Sequence, residues 1–311
     1  MTSEAGGRDS LIASVELALA ANAGRRVQVR SRRSVSGGSI YDTGLWQLAD
    51  GRTVFVKTGD AVDSSVFARE AEGLRALEAT GALRVPEVLA VGAPTPGQPA
   101  FLVLEAIVEG RRGPRFFEDF GSALAALHRA PAASAGPAGE PFGLAHDNHL
   151  GATPQPNPWT QDWVEFWRHQ RLGHQLDLAR RRGLSDPTLD RLGDRLLDRL
   201  DDLLAEPDEP AALLHGDLWG GNYLADDAGQ AVLIDPAVYY GRREADLAMT
   251  RLFGGFTPRF YAAYEEAWPL APGSETRLTV YELYHLLNHL NLFGGGYRGQ
   301  CLARLRGLGL G

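Results

Sequence analysis

Lysine is all but missing from this 311-residue chain: of its 31 basic residues other than histidine, only Lys57 is a lysine. An arginine-rich protein that keeps its one compact ammonium on a predicted strand points to a position where a point charge serves better than a planar fork. Cysteine is equally scarce, with Cys301 alone. A single thiol excludes an intramolecular disulfide and suits a reducing compartment. Positive charge is in deficit, the net charge being -8 and the pI near 5.5, so general nucleic-acid binding and adhesion to an anionic membrane surface are both disfavoured. Long apolar runs are absent too. The most apolar N-terminal stretch, 11–21, is interrupted by Glu16, is too short to span a bilayer and follows no basic segment, so the expectation is a cytoplasmic protein. There is no Walker A loop, because Lys57 follows Val56 and no glycine.

What the chain does have is concentrated in LLHGDLWGGN, residues 213–222. Leu213 and Leu214 read as a short buried strand, and the loop after them places Asp217 and Asn222 five residues apart. Phosphoryl-transfer loops of the kinase type use that spacing: the acid takes or orients the acceptor hydroxyl while the amide reaches a magnesium ion. A second strand, 231–234, then delivers Asp235, a carboxylate able to hold the same cation. Taken alone, a histidine-glycine-aspartate triplet is often an Asx turn whose acid bonds its own backbone. Asn222 and Asp235 at compatible spacing favour the catalytic reading.

The rest of the chain can be asked whether it serves that loop. A helix is expected over 10–22, then strands from 27, over 40–48 and over 53–57, with Asp50-Gly51 as a hairpin signal. The turn Ser36-Gly37-Gly38-Ser39 lies between the first two strands, where backbone N–H groups could approach phosphates. From 63 to 80 the spacing is helical, with Phe67, Leu74 and Leu77 on one face and Glu70 among them. A carboxylate on an inward face needs a partner, and Lys57 is the candidate. Two further strands, 88–91 and 100–104, lead to the crossover at Glu105, Ala106 and Ile107, whose backbone would receive an adenine.

Beyond it the pattern is mostly helical: 116–129, a Trp-rich helix from Trp159 to 182, 185–205, 244–252, 258–268, 274–293 and 298–307. His128 reads as a structural helix-end residue, residues 154–158 as irregular, and the tryptophans as core first and substrate wall second. His215 and Asp246 read as support for the acid-bearing loop. Two motifs fail their context. Gly294 to Gly299 has G-x-G-x-x-G spacing but follows a helix, and His285 with His289 lacks a third zinc ligand and an intervening base.

The chain resembles the fructosamine kinase and ketosamine 3-kinase family along its length. The resemblance rests on HGDLWGGN at 215–222, DPAVYYGRREADLAM at 235–249, LFGGF at 252–256, GATPQPN at 151–157 and LLNHLNLFGGGYRGQ at 286–300. Aminoglycoside phosphotransferases and choline kinases share the acid and the amide but usually lack a tryptophan at the place of Trp219. The resemblance implies an α+β, bilobal, protein-kinase-like fold with a small antiparallel β-rich N-lobe and a larger, mainly helical C-lobe. The N-lobe, 1–106, would hold a five-stranded sheet and one packed helix, and the C-lobe, 107–311, the catalytic loop and the metal-binding strand.

The implied chemistry is ATP-dependent phosphorylation, with magnesium, of the third-carbon hydroxyl of a small-molecule or protein-bound ketosamine, whose unstable product sheds the sugar. In that scheme Asp217 is the base and Trp219 offers a flat face to the sugar. Gly37, Gly38 and Ser39 cover the phosphates, Lys57 is held by Glu70, and Asn222 and Asp235 hold the metal. Arg242 stands where the family commonly has histidine, and the glycine turn has no cysteine, which makes redox control there unexpected. The alternatives are a kinase for another hydroxylated amine, such as an aminoglycoside, and an inactive nucleotide-binding module.

Overall fold

The computed structural model describes residues 3–35, 41–59, 65–133, 135–205 and 209–311, with side chains from Ser10 onward. Gly37, Gly38 and Ser39, expected over the phosphates, lie outside the described residues. Contacts divide the chain into two units: Met1–Ala79, Arg84–Gly113 and Leu224–Asp235 form the first, and Thr80–Leu83, Pro114–Tyr223 and Pro236–Gly311 the second. The boundary therefore differs from one cut after residue 106. The stretch Leu224–Asp235 belongs with the first unit, where the Gly110 N–H donates to the Ala225 carbonyl and the Leu233 N–H to that of Arg84.

The first unit opens with helix α1 (Ser3–Ala23) and strands β1 (Val29–Ser34), β2 (Asp42–Leu48) and β3 (Thr53–Gly59). Helix α2 (Val66–Glu78) and strands β4 (Val88–Gly92) and β5 (Ala100–Glu105) follow. The five strands form one antiparallel sheet in the order β1-β2-β3-β5-β4. Strand alternation decides what each face carries. Val56, paired with Val103, and Val54 and Phe101 on the same face join Trp46 and Leu48 in a core closed by Leu11, Val15 and Leu19 of α1. The intervening residues face the other way, toward α2, whose Phe67, Ala71, Leu74 and Leu77 are buried. The sheet thus carries a helix on each face instead of the single packed helix expected.

The second unit contains α3 (Phe116–Arg129), the hairpin β6 (Asn148–Leu150) and β7 (Thr153–Gln155), and then a long helical segment. That segment comprises α4 (Trp163–Phe166), a π-helical stretch over Trp167–Gly173 and α5 (His174–Arg181). It starts at Trp163, because the Asp162 carboxylate accepts the Glu165 N–H at 3.0 Å and caps it. Helices α6 (Pro187–Asp198) and α7 (Leu200–Leu203) lead to β8 (Ala212–Leu214), β9 (Tyr223–Ala225), β10 (Ala231–Leu233) and β11 (Tyr239–Gly241). The chain ends with α8 (Glu244–Leu252), α9 (Pro258–Ala267), α10 (Ser274–Phe293) and α11 (Arg298–Gly307). Trp163 and Trp167 are buried against Tyr281 and Phe166 against Tyr239, so they build core and no substrate wall. Among the described residues, no helix is long and apolar enough to cross a membrane.

Candidate active site

In the first unit the lysine sits where strand alternation sends it. Lys57 points from β3 toward α2 and is almost fully buried, and its Nζ donates to Glu70 Oε1 at 2.7 Å and to Asp235 Oδ1 at 2.5 Å. Burial by itself would depress the ammonium pKa. The charges of Glu70 and Asp235 outweigh that and hold it above its ordinary value. Glu70 shifts upward, because burial and the neighbouring Asp235 charge exceed the pull of the lysine. The expected lysine and helix-glutamate pair is therefore present, with a second acid on the same ammonium. Asp235 differs in character, for its side chain remains 43% exposed. It is also the one non-glycine at positive φ (54°) among the described residues, a conformation that persists only where surrounding structure enforces it.

The crossover is more constrained than its sequence suggests. The Glu105 N–H donates to the Glu87 carbonyl at 2.9 Å, and its carboxylate accepts the Arg84 guanidinium at 2.6 Å. Arg84 also donates to Asp226 at 2.6 Å, tying the end of β5 to the turn between β9 and β10. Glu105 is thus engaged at both its N–H and its side chain.

In the second unit the acid-bearing loop is held from beneath by one carboxylate. Asp246, near the start of α8 and 1% exposed, accepts the N–H of His215 at 2.7 Å and of Gly216 at 2.8 Å. Its Oδ2 also lies 3.1 Å from His128 Nε2, while His128 Nδ1 meets the Tyr264 hydroxyl at 2.8 Å. Burial would raise the Asp246 pKa, but the hydrogen bond and charge of His128, with His215 and the Gly216 N–H, bring it below its ordinary value. Gly216 allows the turn: its φ is 82°, and a Cβ there would lie 2.0 Å from the Ala237 carbonyl oxygen. His128, read from sequence only as a helix-end residue, thus braces the loop through Asp246. A histidine in the last turn of a helix carries no local signal of a partner 118 positions away.

Above this brace, Asn222 Nδ2 donates to the Asp217 carbonyl at 2.8 Å and to Asp217 Oδ2 at 3.0 Å. The amide nitrogen orients the half-buried acid, and the amide oxygen takes no part in these two bonds. Trp219 is 39% exposed beside them. Gly220 packs backbone to backbone on Gly255, where a Cβ would meet the Gly220 Cα at 2.5 Å, and the Tyr223 hydroxyl donates to the Gly255 carbonyl. This approach explains Gly220 and Gly255, one glycine of WGGN and one of LFGGF. Asp235 and Asn222 offer a carboxylate and a carboxamide oxygen, both hard donors. Among the described residues no group of three or more His, Cys, Asp or Glu could enclose a metal. Each of these two oxygens is the kind of donor magnesium takes, an ion that keeps several waters and draws its remaining ligands from phosphate.

A strand-borne lysine paired with a helix-borne glutamate, an acid just past β10, and a braced loop carrying acid and amide are those of a protein-kinase-like phosphotransferase fold. The fructosamine kinase family model matches residues 11–308, and the chain belongs to that family. A protein of Synechocystis sp. that bears the name probable ketoamine kinase is 43% identical over 286 residues, 91% of this chain and 92% of its own. The chloroplastic protein-ribulosamine 3-kinase of rice, Oryza sativa subsp. japonica, is 39% identical over 282 residues, 90% of this chain and 79% of its own. A solved structure from Thermobifida fusca, assigned as a fructosamine-3-kinase, superposes with a TM-score of 0.82 at 36% identity and covers 95% of this chain and 98% of its own.

Proposed function

We propose that the protein transfers the γ-phosphoryl group of ATP to the third-carbon hydroxyl of a ketosamine, and so promotes removal of the sugar from the amine. The observation that carries this reading is the Asp217–Asn222 pair beside a half-exposed tryptophan, on a loop whose backbone is bonded to buried Asp246. Asp217 accepts the proton of the acceptor hydroxyl as the oxygen attacks the γ-phosphorus and the bond to ADP breaks. Asn222 keeps the carboxylate turned toward that hydroxyl, and Trp219 lays its ring against the sugar. Lys57, fixed by Glu70, neutralises charge on the phosphates. The backbone of Glu105, Ala106 and Ile107 receives the adenine, and on sequence alone Gly37, Gly38 and Ser39 are assigned to the phosphates.

Asp235 and the Asn222 amide oxygen would hold magnesium, which supplies charge neutralisation to the transferring group. Because the transition state is loose, positioning and charge carry most of the rate. The substrate class is supported by the names of relatives matched over most of their length, ketoamine kinase and protein-ribulosamine 3-kinase. An aminoglycoside acceptor has no comparable support. We place the protein in a reducing cytoplasm, its one thiol, Cys301, being buried and pushed up to about 12. The test is a coupled assay of ADP release with fructoselysine, ribuloselysine and an aminoglycoside. Turnover of a ketosamine is expected, and turnover of the aminoglycoside alone would reject the reading.

A further inference from the structure

We propose that a row of aromatic side chains leading away from Trp219 binds the amine-bearing part of the substrate, a flexible alkylammonium chain of the lysine type. This rests on the ketosamine reading above. The exposed large hydrophobic side chains of the described structure are Leu17, Val108, Trp219 and Phe293, the last 64% exposed. Two of these four are joined through other rings. Trp219 meets Phe253 edge-on at 6.5 Å between centroids, Phe253 meets His289 at 4.5 Å, and His289 meets Phe293 at 5.4 Å and Tyr297 at 5.1 Å. Phe293 and Tyr297 are themselves 6.2 Å apart.

The sequence builds the row simply. His289 and Phe293 are four apart on α10 and share a face, Phe253 follows the last residue of α8, and Tyr297 follows the glycine turn after α10. The glycines of that turn have open space around them, since a Cβ on Gly294, Gly295 or Gly296 would meet nothing within 4 Å. Gly294 needs its φ of 90° where α10 ends, while neither packing nor positive φ explains Gly295 and Gly296.

Two exposed rings bridged by three partly buried ones make more continuous apolar surface than singly scattered hydrophobics, and a row that begins beside the reacting group marks a binding site. The occupant follows from the chemistry of a ketosamine. Its sugar ends on a secondary amine, protonated at neutral pH, and the amine continues into an alkyl chain. Ring faces attract such a cation and its methylenes cover apolar area. His289 suits this role because burial keeps its pKa below the ordinary value, so the ring is neutral and does not repel an ammonium. The GGGY segment, whose glycine spacing has no strand context for a dinucleotide, thereby gains a function.

The experiment compares two ketosamines with the same sugar, one on methylamine and one on Nα-acetyl-lysine, for the wild-type protein and for Phe293→Ala and Phe293→Leu. Phe293→Ala is expected to raise KM for the lysine adduct about 3- to 10-fold more than KM for the methylamine adduct. Phe293→Leu, which keeps apolar area and loses the ring, should fall between. Because Phe293 is exposed, melting temperatures should stay close to wild type. Equal rises in KM for both adducts, or no rise for either, would overturn the aromatic row while leaving the kinase reading intact. A wild-type protein that phosphorylates neither adduct would remove both.

Discussion

Replacing Asp246 by asparagine tests whether the acid-bearing loop is held as the geometry says. The carboxylate accepts two backbone N–H groups, at 2.7 and 2.8 Å, and approaches His128 at 3.1 Å, in surroundings that leave it 1% exposed. A carboxamide of the same shape has one acceptor oxygen, so its NH2 must face a donor. At least one buried N–H or the imidazole then loses its partner. Each such loss costs about 1–3 kcal/mol, and the change from a charged to a neutral acceptor weakens what remains, so roughly 2–4 kcal/mol is expected for Asp246→Asn. Asp246→Ala, which strands every donor, should cost roughly 3–6 kcal/mol and bring a protein of ordinary stability close to unfolding. Urea unfolding followed by tryptophan fluorescence reads the stability. Steady-state turnover reads the consequence for Asp217, one residue from Gly216: kcat should fall at least about tenfold while KM for ATP moves little. An Asn variant within about 0.5 kcal/mol of wild type and with unchanged kcat would refute the bracing role, since surface substitutions alone reach that size.

Three other outcomes follow from the same geometry. Lys57→Met removes the one cation shared by Glu70 and Asp235, and kcat/KM for ATP should drop by about 100-fold or more; an unchanged value would deny Lys57 its phosphate role. Trp219→Ala, at a partly exposed position, should raise KM for the ketosamine about 5- to 30-fold and KM for ATP far less, whereas equal effects would assign the indole to packing. His285 is buried beside His289, which lowers its pKa from 6.5 to about 3, so the unfolded chain takes up a proton at a higher pH than the folded protein does. Stability is therefore full above about pH 6.5 and falls by about 1.4 kcal/mol per unit as pH drops toward 3. Urea midpoints at pH 7 and pH 5 should differ less for His285→Gln than for wild type, and equal differences would contradict the assignment.

Much of this was legible in the sequence where local chemistry and tertiary need agree. Helices 116–129, 244–252, 274–293 and 298–307 are found at their expected limits, because apolar spacing and nearby glycine, proline or charged caps mark them. The lysine and glutamate pair could be anticipated because an inward-facing carboxylate requires a cation and the chain offers only one lysine. Elements that depend on distant partners were not legible. Residues 154–158 read as irregular because Pro154 hides the second strand of the hairpin at Asn148–Gln155; in the structure Gln155 Nε2 donates to Asn148 Oδ1 and to the Ala237 carbonyl. The π-helical stretch at 167–173 has ordinary helical spacing. Its cause is tertiary: Arg171, fully buried, turns inward to donate to Pro156 and Asn157 and lies 4.1 Å from the Tyr239 ring centroid. Helix α1 begins before Ser10 because its glycines at 6 and 7, poor helix formers, are carried by an element whose later residues pack on the sheet. Likewise Glu105, placed correctly at the end of β5, could not be seen to spend its N–H on Glu87 and its carboxylate on Arg84.

The central claim is that Asp217 takes a proton from the third-carbon hydroxyl of a ketosamine. The direct measurement is the rate of ADP release from MgATP with fructoselysine for wild type and Asp217→Asn, with the position of the phosphate on the product read by NMR. Wild type should place the phosphate on the third carbon, and the variant should lose turnover by about 1000-fold or more with nucleotide affinity kept. Turnover of the variant within about tenfold of wild type, or a phosphate on another carbon, would contradict the account.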